Sequence, residues 1–405
     1  MMTFGSYLLT GFAALLAVPT AVFLFEVLAA SFLSKAELIF DAEPDPRGRV
    51  AVLVPAHNES VGLQPTLADL KSQLRSGDRL LVVADNCSDD TAEVAASMGA
   101  EIAVRNDPTK IGKGYALDWG LNYLAANPPE IVIVIDADCR IEVGTIDRLA
   151  TACEKLQRPV QSLYLMTAPI DSQINHQVAE FAWRLKNWVR PLGLSALNLP
   201  CQLMGTGMAF PWDLIRSAEL SSGFIVEDLK LGLELAYAGH APVFCPSARV
   251  TSSFPYSAKG ARTQRQRWEQ GHVGLILTKA LALLYAALKQ RNLNLLALTL
   301  DLIVPPISLL GLILALAFLG AGIAWFLGFS AHAVTISATS LAMVVGATAL
   351  AWLSYGRDIL PLKSLALIGP YFMSKLRLYS AALTGHRVSL WVRADRDKSD
   401  PSPGE

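Results

Sequence analysis

Two carboxylates one residue apart, in Asp136-Ala137-Asp138, follow directly on an apolar run at residues 131–135. Acids this close repel one another unless a cation offsets their charge. Closely spaced carboxylate oxygens suit Mg²⁺ or Mn²⁺, with a diphosphate completing the coordination shell. A second polar cluster, Asp85-Asn86-Cys87-Ser88-Asp89-Asp90-Thr91, follows an apolar run at 80–84, and a third, Pro55-Ala56-His57-Asn58-Glu59, follows one at 50–54. Asp85 and Asp89 have a plainer use as caps of the helix behind them. Lys110-Ile111-Gly112-Lys113-Gly114 precedes a helical pattern. Two lysines and flexible glycines at a helix start are either a phosphate cradle or a solvated loop.

Farther along, Gly205-Thr206-Gly207-Met208-Ala209-Phe210 is a small-residue turn. Such a turn either lets a ligand approach the backbone or serves packing alone. Glu227-Asp228-Leu229 opens a helical stretch that runs to Tyr237. Its acids are either first-turn residues favoured by the helix dipole or a candidate general base. Gln264-Arg265-Gln266-Arg267-Trp268-Glu269-Gln270-Gly271 lies just before a strongly apolar region. Basic residues there suit lipid headgroups, but that use leaves the Gln and Trp without a reason.

The elements that must position these groups follow from periodicity. The runs at 50–54, 80–84 and 131–135 are short, β-branched and not alternating, as strands covered on both faces are. Helical patterns at 61–74, 91–98 and 114–126 lie between them. Strand–helix–strand order predicts an α/β domain with a doubly wound, mostly parallel sheet, whose ligands bind at the carboxyl ends of its strands. The polar clusters fall at those ends.

Hydrophobic residues make up 52% of the 405 and charged residues only 17%. The excess gathers near residues 7–33 and 296–355, so the composition predicts a globular domain flanked by membrane spans. Residues 7–33 exceed the ~20 needed to cross a bilayer. No Lys or Arg precedes Lys35, which favours an anchor over a cleaved signal peptide. Residues 305–328 and 334–355 read as a hairpin of spans turning near Ser330-Ala331-His332. The organisation expected is an anchor at 1–35, an α/β domain at 48–275, interfacial helices at 276–304, a membrane hairpin at 305–356, and an interfacial segment with a basic tail at 357–405. Arg357, Lys363, Lys375, Arg377, Arg387, Arg393, Arg396 and Lys398 mark that tail as cytoplasmic, and the central domain with it. The net charge of −1 offers no field for nucleic acid. Cys87, Cys139, Cys153, Cys201 and Cys245 form no CxxC pair, and their odd number fits a reducing compartment.

Taken in order, Asp85, Asp136-Ala137-Asp138, Glu227-Asp228 and Gln264-Arg265-Gln266-Arg267-Trp268 resemble the motifs of the family-2 inverting glycosyltransferases with a GT-A fold. The likeness is to membrane-integrated members of the polysaccharide-synthase and ceramide-glucosyltransferase kinds, and it covers residues 48–275. It implies a nucleotide-sugar donor, with uracil as the expected base held by Asp85 near Pro55, His57 and Glu59. It further implies Lys113 near the donor phosphates, Asp136 on the ribose or donor sugar, and Asp138 on the metal of the diphosphate, with Asp136 beside it. Gly205, Thr206, Gly207 and Glu227 would shape the acceptor end, Asp228 would be the general base, and Gln264, Arg267 and Trp268 would close over diphosphate and acceptor sugar. One position departs from the pattern: Val226 stands where members often have Thr.

These residue types suit an inverting displacement. A divalent metal and Arg267 stabilise the charge on the leaving diphosphate, a carboxylate takes the proton of the attacking hydroxyl, and Trp268 offers an apolar face to a sugar ring. The acceptor expected is a lipid or lipid-linked glycan reached from the bilayer. A processive exopolysaccharide synthase is the alternative, and with only three spans for a channel it calls for a homo-oligomer or a partner subunit. A non-catalytic scaffold of an export complex would have no need of Asp138, Asp228 and Arg267. A nucleotidyltransferase would have no need of Gln264 to Trp268.

Overall fold

The computed structural model describes residues 4–33, 47–169, 174–221, 226–255 and 258–362. Residues from Lys363 onward, and with them most of the expected interfacial segment and basic tail at 357–405, lie outside them.

The three apolar runs form strands β1 (Val50–Ala56), β2 (Arg79–Asp85) and β4 (Ile131–Val134), and β3 (Glu101–Arg105), which no run announces, falls between the last two in the chain. Two-residue β5 (Arg140–Ile141), β6 (Val160–Thr167), β7 (Met208–Pro211) and β8 (Val243–Ser253) complete an eight-stranded sheet in the order β3-β2-β1-β4-β7-β6-β8-β5. β1 is parallel to β2 and β4, and β2 to β3. Past β4 the sheet becomes mixed: β7 runs antiparallel to both β4 and β6, β8 parallel to β6, and β5 antiparallel to β8. The half β3-β2-β1-β4 is the parallel α/β sheet expected from the strand–helix pattern, and the half beyond β4 is mixed. Helices Leu63–Lys71, Thr91–Ser97 and Lys113–Leu124 connect the parallel strands. The two faces carry separate cores. One takes Val50, Val52, Val54 and Ile133 with Leu63 and Leu67, and the other takes Leu53, Leu81 and Val83 with Leu117 and Leu121. Successive residues of each strand thus point to opposite cores, which is why the strands read as unbroken apolar runs.

The reversal at β7 positions the site. Because β7 is antiparallel to β4 and pairs Met208 with Val134, the turn before Met208 lies at the same sheet edge as the residues following β4. β6 pairs Gln161 with Met208 and then continues beside β8 past that edge, forming one wall above it.

Among the described residues, four helices are long and apolar enough to cross a membrane: Phe4–Phe32, Thr263–Gln290, Ile307–Phe326 and His332–Tyr355. The sequence pattern singles out three of these. The fourth belongs to one continuous helix, Ala258–Gln290, that runs through residue 275, where the α/β domain was expected to end. No proline interrupts it, so its polar first turns and apolar later turns share one axis. Helices Phe4–Phe32 and His332–Tyr355 lie side by side and point the same way. Ser6 accepts a hydrogen bond from the Ser330 amide (3.1 Å) at one end, and the Tyr355 hydroxyl donates to the Ala30 carbonyl (2.8 Å) at the other. Phe23, Val27 and Ala30 of the first helix share one apolar cluster with Leu185, Val189 and Leu192 and with Leu163, Leu165 and Phe244 of β6 and β8, so the first helix and the sheet share a core through the segment 185–196.

Candidate active site

The first two strand ends form one loop pair. The Asp85 carbonyl bonds His57 Nδ1 at 2.7 Å, and Asn58 Oδ1 accepts from the Ser88 amide at 2.7 Å. The Glu59 amide donates to Thr91 Oγ1 (2.9 Å), and Pro55 is buried in β1 opposite Val83. The two acids of the second cluster have different uses. Asp89 takes the capping task, accepting from the Thr91 amide and hydroxyl. Asp85 is fully buried and ion-paired to Arg105 of β3 at 2.5 Å, while its Oδ2 has no hydrogen-bond partner. Burial pushes the Asp85 carboxyl up, and Arg105 acts against that. Arg105 also donates to the Lys110 carbonyl and lies over the Tyr115 ring at 5.4 Å. Nothing in the spacing of residues 85 and 105 marks this pair; it follows from the β2–β3 register, which sets Asp85 opposite Arg105.

The third strand end carries the acid pair. Asp136 is ion-paired to Lys113, and the same ammonium donates to the Gly205 carbonyl at 2.7 Å. Lys113 is therefore part of the site rather than of a solvated loop. Burial alone lowers its pKa, but the charges of Asp136 and Glu227 more than compensate and raise it. The Asp136 amide donates to the buried Thr206 hydroxyl at 3.0 Å. Buried Gln161 holds the turn from beneath, donating to the Thr206 carbonyl and accepting from the Met204 amide. Gly205 and Gly207 adopt φ of +91° and +65°, values that favour glycine. A methyl on Gly205 would touch Asp228 Oδ2 at 3.4 Å and Lys113 Nζ at 3.8 Å. Asp136, Lys113, Gly205 and Asp228 thus meet at one point, although 92 residues separate the first and last.

Glu227 and Asp228 begin the helix Glu227–Tyr237. Part of each opens on the cleft while protein closes round the rest. Burial raises both carboxyls; Asp228's charge raises Glu227 further, whereas Lys186 and Lys113 act against the rise at Asp228. Lys186 belongs to a single π-helical turn, Leu185–Val189, a local irregularity frequent at functional sites. Its ammonium lies 5.7 Å from the Trp183 ring, and Trp183 packs on Trp268 with centroids 4.8 Å apart. Trp268, Arg267 and Gln264 occupy the polar start of helix Ala258–Gln290, and Arg267 lies within the electrostatic reach of Glu227. The departure at Val226 has a packing role: a methyl on Gly271 would meet Val226 Cγ1 at 2.7 Å, so the apolar side chain seats this helix closely against the acid pair. Lys186, Trp183 and Gln161 escape sequence reasoning because none lies in a polar cluster at a strand end, and Arg105 because it ends β3, a strand that no apolar run announces.

A divalent cation is implied by the acid pair. Among the described residues, no group of three or more His, Cys, Asp or Glu side chains could hold a metal ion. What the turn offers is two hard carboxylates, Asp136 and Asp138, both partly exposed to the cleft. Mg²⁺ and Mn²⁺ take about six oxygens, so this donor set fits a cation that brings diphosphate and water ligands with it.

Comparison with known proteins bears on this geometry. Uncharacterized glycosyltransferase Mb0553 of Mycobacterium bovis is 38% identical over 122 residues, 28% of this chain and 51% of that protein. Probable glycosyltransferase YdaM of Bacillus subtilis is 25% identical over 245 residues, 56% of each chain. The chain spans about half the length of these curated relatives. Among solved structures, mannosyltransferase PcManGT from Pyrobaculum calidifontis, in complex with GDP-Man and Mn²⁺, is 18% identical with a TM-score of 0.48, over 84% of this chain and 99% of that one. Glucosyl-3-phosphoglycerate synthase from Mycobacterium tuberculosis, in complex with Mn²⁺ and UDP-glucose, is 24% identical with a TM-score of 0.36, over 50% and 70%. The fold is GT-A-like, with four candidate membrane helices around it. The profile described as glycosyltransferase like family 2 matches residues 46–271, a stretch that holds every motif from Pro55 to Trp268, and the chain belongs to that family.

Proposed function

We propose that the chain is an inverting glycosyltransferase that moves a sugar from a nucleotide-sugar donor, with uridine diphosphate as the expected carrier, to a lipid or lipid-linked acceptor at a membrane. The observation that carries this reading is the meeting at Gly205 of a donor-side cluster, Asp136 and Lys113, with the recessed acid Asp228. In the reading, the loop pair of Pro55, His57, Glu59 and Asp85 holds the base. Asp85 Oδ2, the buried atom with no partner, is suited to accept a hydrogen bond from an imide N–H. Lys113 neutralises charge beside the diphosphate, and Asp136 and Asp138 would hold Mg²⁺ or Mn²⁺, which supplies Lewis-acid stabilisation of the departing diphosphate when bound. Asp228 accepts the proton of the attacking hydroxyl. Its raised pKa makes it a better proton acceptor than an ordinary aspartate, and Lys186 limits the rise so that the anion persists. Arg267 and Gln264 approach from the side of helix Ala258–Gln290, toward the leaving group. Trp268, backed by Trp183, faces the acceptor sugar.

The apolar helices support membrane integration, and the basic tail together with the cytosolic supply of nucleotide sugars supports a cytoplasmic site. The direct test incubates membranes containing the full chain with a panel of labelled nucleotide sugars and Mg²⁺ or Mn²⁺, then separates lipid-soluble from polymeric product. Label in the lipid phase, lost in Asp138→Asn, is expected. Polymeric product would replace single transfer with processive synthesis, and no incorporation from any donor would overturn the reading.

A further inference from the structure

Glu26 is the only charged residue of the apolar helix Phe4–Phe32, and a lone carboxylate is costly at membrane depth. Glu26 is 1% exposed and pairs at 2.6 Å with Arg190, itself 5% exposed. The same guanidinium reaches Asp301 through Nη2, at 2.6 Å to Oδ1 and 2.8 Å to the backbone carbonyl. One arginine therefore ties together three segments that are remote in the chain. The approach is close: a methyl on Gly193 would collide with the Glu26 carbonyl oxygen. One residue beyond Asp301, the Leu302 carbonyl bonds His272 Nε2 at 2.8 Å, and His272 too is buried.

Arg190 and His272 each belong to a site-bearing helix. Arg190 lies one helical turn beyond Lys186 and about two beyond Trp183, on a segment that is helical without a break from Ile174 to Ala196. His272 lies one turn beyond Trp268 on helix Ala258–Gln290. The contact between Trp183 and Trp268 joins the two helices near the acid pair, and Asp301 with Leu302 joins them at the other end. Helix Leu293–Leu302 then leads through Pro305 and Pro306 into Ile307–Phe326.

We propose that Glu26, Arg190, Asp301 and His272 form a buried polar junction through which the apolar helices position the acceptor side of the site, Lys186, Asp228, Trp183 and Trp268, leaving the donor loops untouched. These four are positioning residues, and the kinetic part of the proposal rests on the function proposed above. Arg190 takes two carboxylates at once, so loss of either acid leaves its fork half satisfied and the helix free to shift. A displacement of about 1 Å at reacting groups costs on the order of 10²-fold in rate.

Full-length Glu26→Gln, Glu26→Asp and Asp301→Asn proteins, purified in one detergent, give two independent readouts. In transfer assays, Glu26→Gln and Asp301→Asn are expected to lower kcat by about tenfold or more with donor KM within about twofold. Glu26→Asp, which keeps the charge, should recover most of the loss. Hydrogen–deuterium exchange needs no activity: both neutral variants should speed exchange at 183–190 and at 264–272 together, with 79–91 unchanged. Exchange altered only around residues 20–33, or equally across the whole chain, would overturn the junction whether or not the chain transfers sugar. A wild type that transfers nothing, with the coupled exchange intact, would strike the functional reading alone. Unchanged kcat in an active Glu26→Gln enzyme would overturn the positioning role.

Discussion

Asp85, at the end of β2, and Asp228, at the start of helix Glu227–Tyr237, are both recessed acids of the candidate site, and burial raises the pKa of both. They are compensated differently. Asp85 is locked to Arg105 on the neighbouring strand by a direct 2.5 Å ion pair, which leaves one oxygen for a partner and little freedom to move. Asp228 lies in the field of two lysines drawn from distant segments, Lys186 and Lys113, with Glu227 pressing against it. A rigid, paired acid suits recognition. An acid balanced between two cations and a like charge suits the uptake and release of a proton.

The contrast breaks most sharply at Asp228. Asp228→Asn removes the proposed proton acceptor with little change of shape, and transfer should fall by about 10²–10⁴-fold while donor binding, followed by titration with the nucleotide sugar, stays within a few-fold. Equal loss of both would reduce Asp228 to a structural acid like its counterpart. Next in size is Arg105→Met, which strands a buried carboxylate and should destabilise the protein by roughly 3–5 kcal/mol. Denaturant unfolding of the solubilised chain measures this, and adding Asp85→Asn should recover part of the loss. If the single variant costs nothing, Asp85 is not held by the pair.

The smallest effects sharpen the comparison without breaking it. With Asp228 as the proposed proton acceptor, transfer needs it deprotonated, and activity should rise with pH along a limb set above the ordinary aspartate range. Glu227→Gln removes a like charge and should move that limb down, while Lys186→Met removes a compensating cation and should move it up. Shifts in the same direction would mean that the limb reports another group. The corresponding changes at Arg105 should leave the limb in place, because the proposed function gives Asp85 no part in proton transfer.

Much of this molecule is legible in the order of its residues. Runs 50–54, 80–84 and 131–135 become β1, β2 and β4 almost to the residue, since a strand buried on both faces needs an unbroken apolar stretch. Their polar ends land where a parallel sheet binds ligands. Gly205 and Gly207 announce a turn through residue type alone. Less legible are the groups that complete the site. Asp85 carries a capping reading until Arg105 is seen opposite it, and Trp183 resembles any helical core residue until it meets Trp268. The helix Ala258–Gln290 crosses residue 275, where composition changes but the backbone does not, so its continuity is not legible in composition.

Local chemistry thus specifies the strands, the apolar helices and the identity of the acids, because these depend on neighbours within a few residues. The antiparallel insertion of β7 beside β4 decides the rest. It sets Gly205 against Lys113 and Asp228 near Asp136, and the docking of the first helix gives Glu26 its partner in Arg190. Such pairings span 92 to 164 residues. They have no signature in spacing, since only the closing of the sheet and the packing of helices upon it bring those charges within reach of one another.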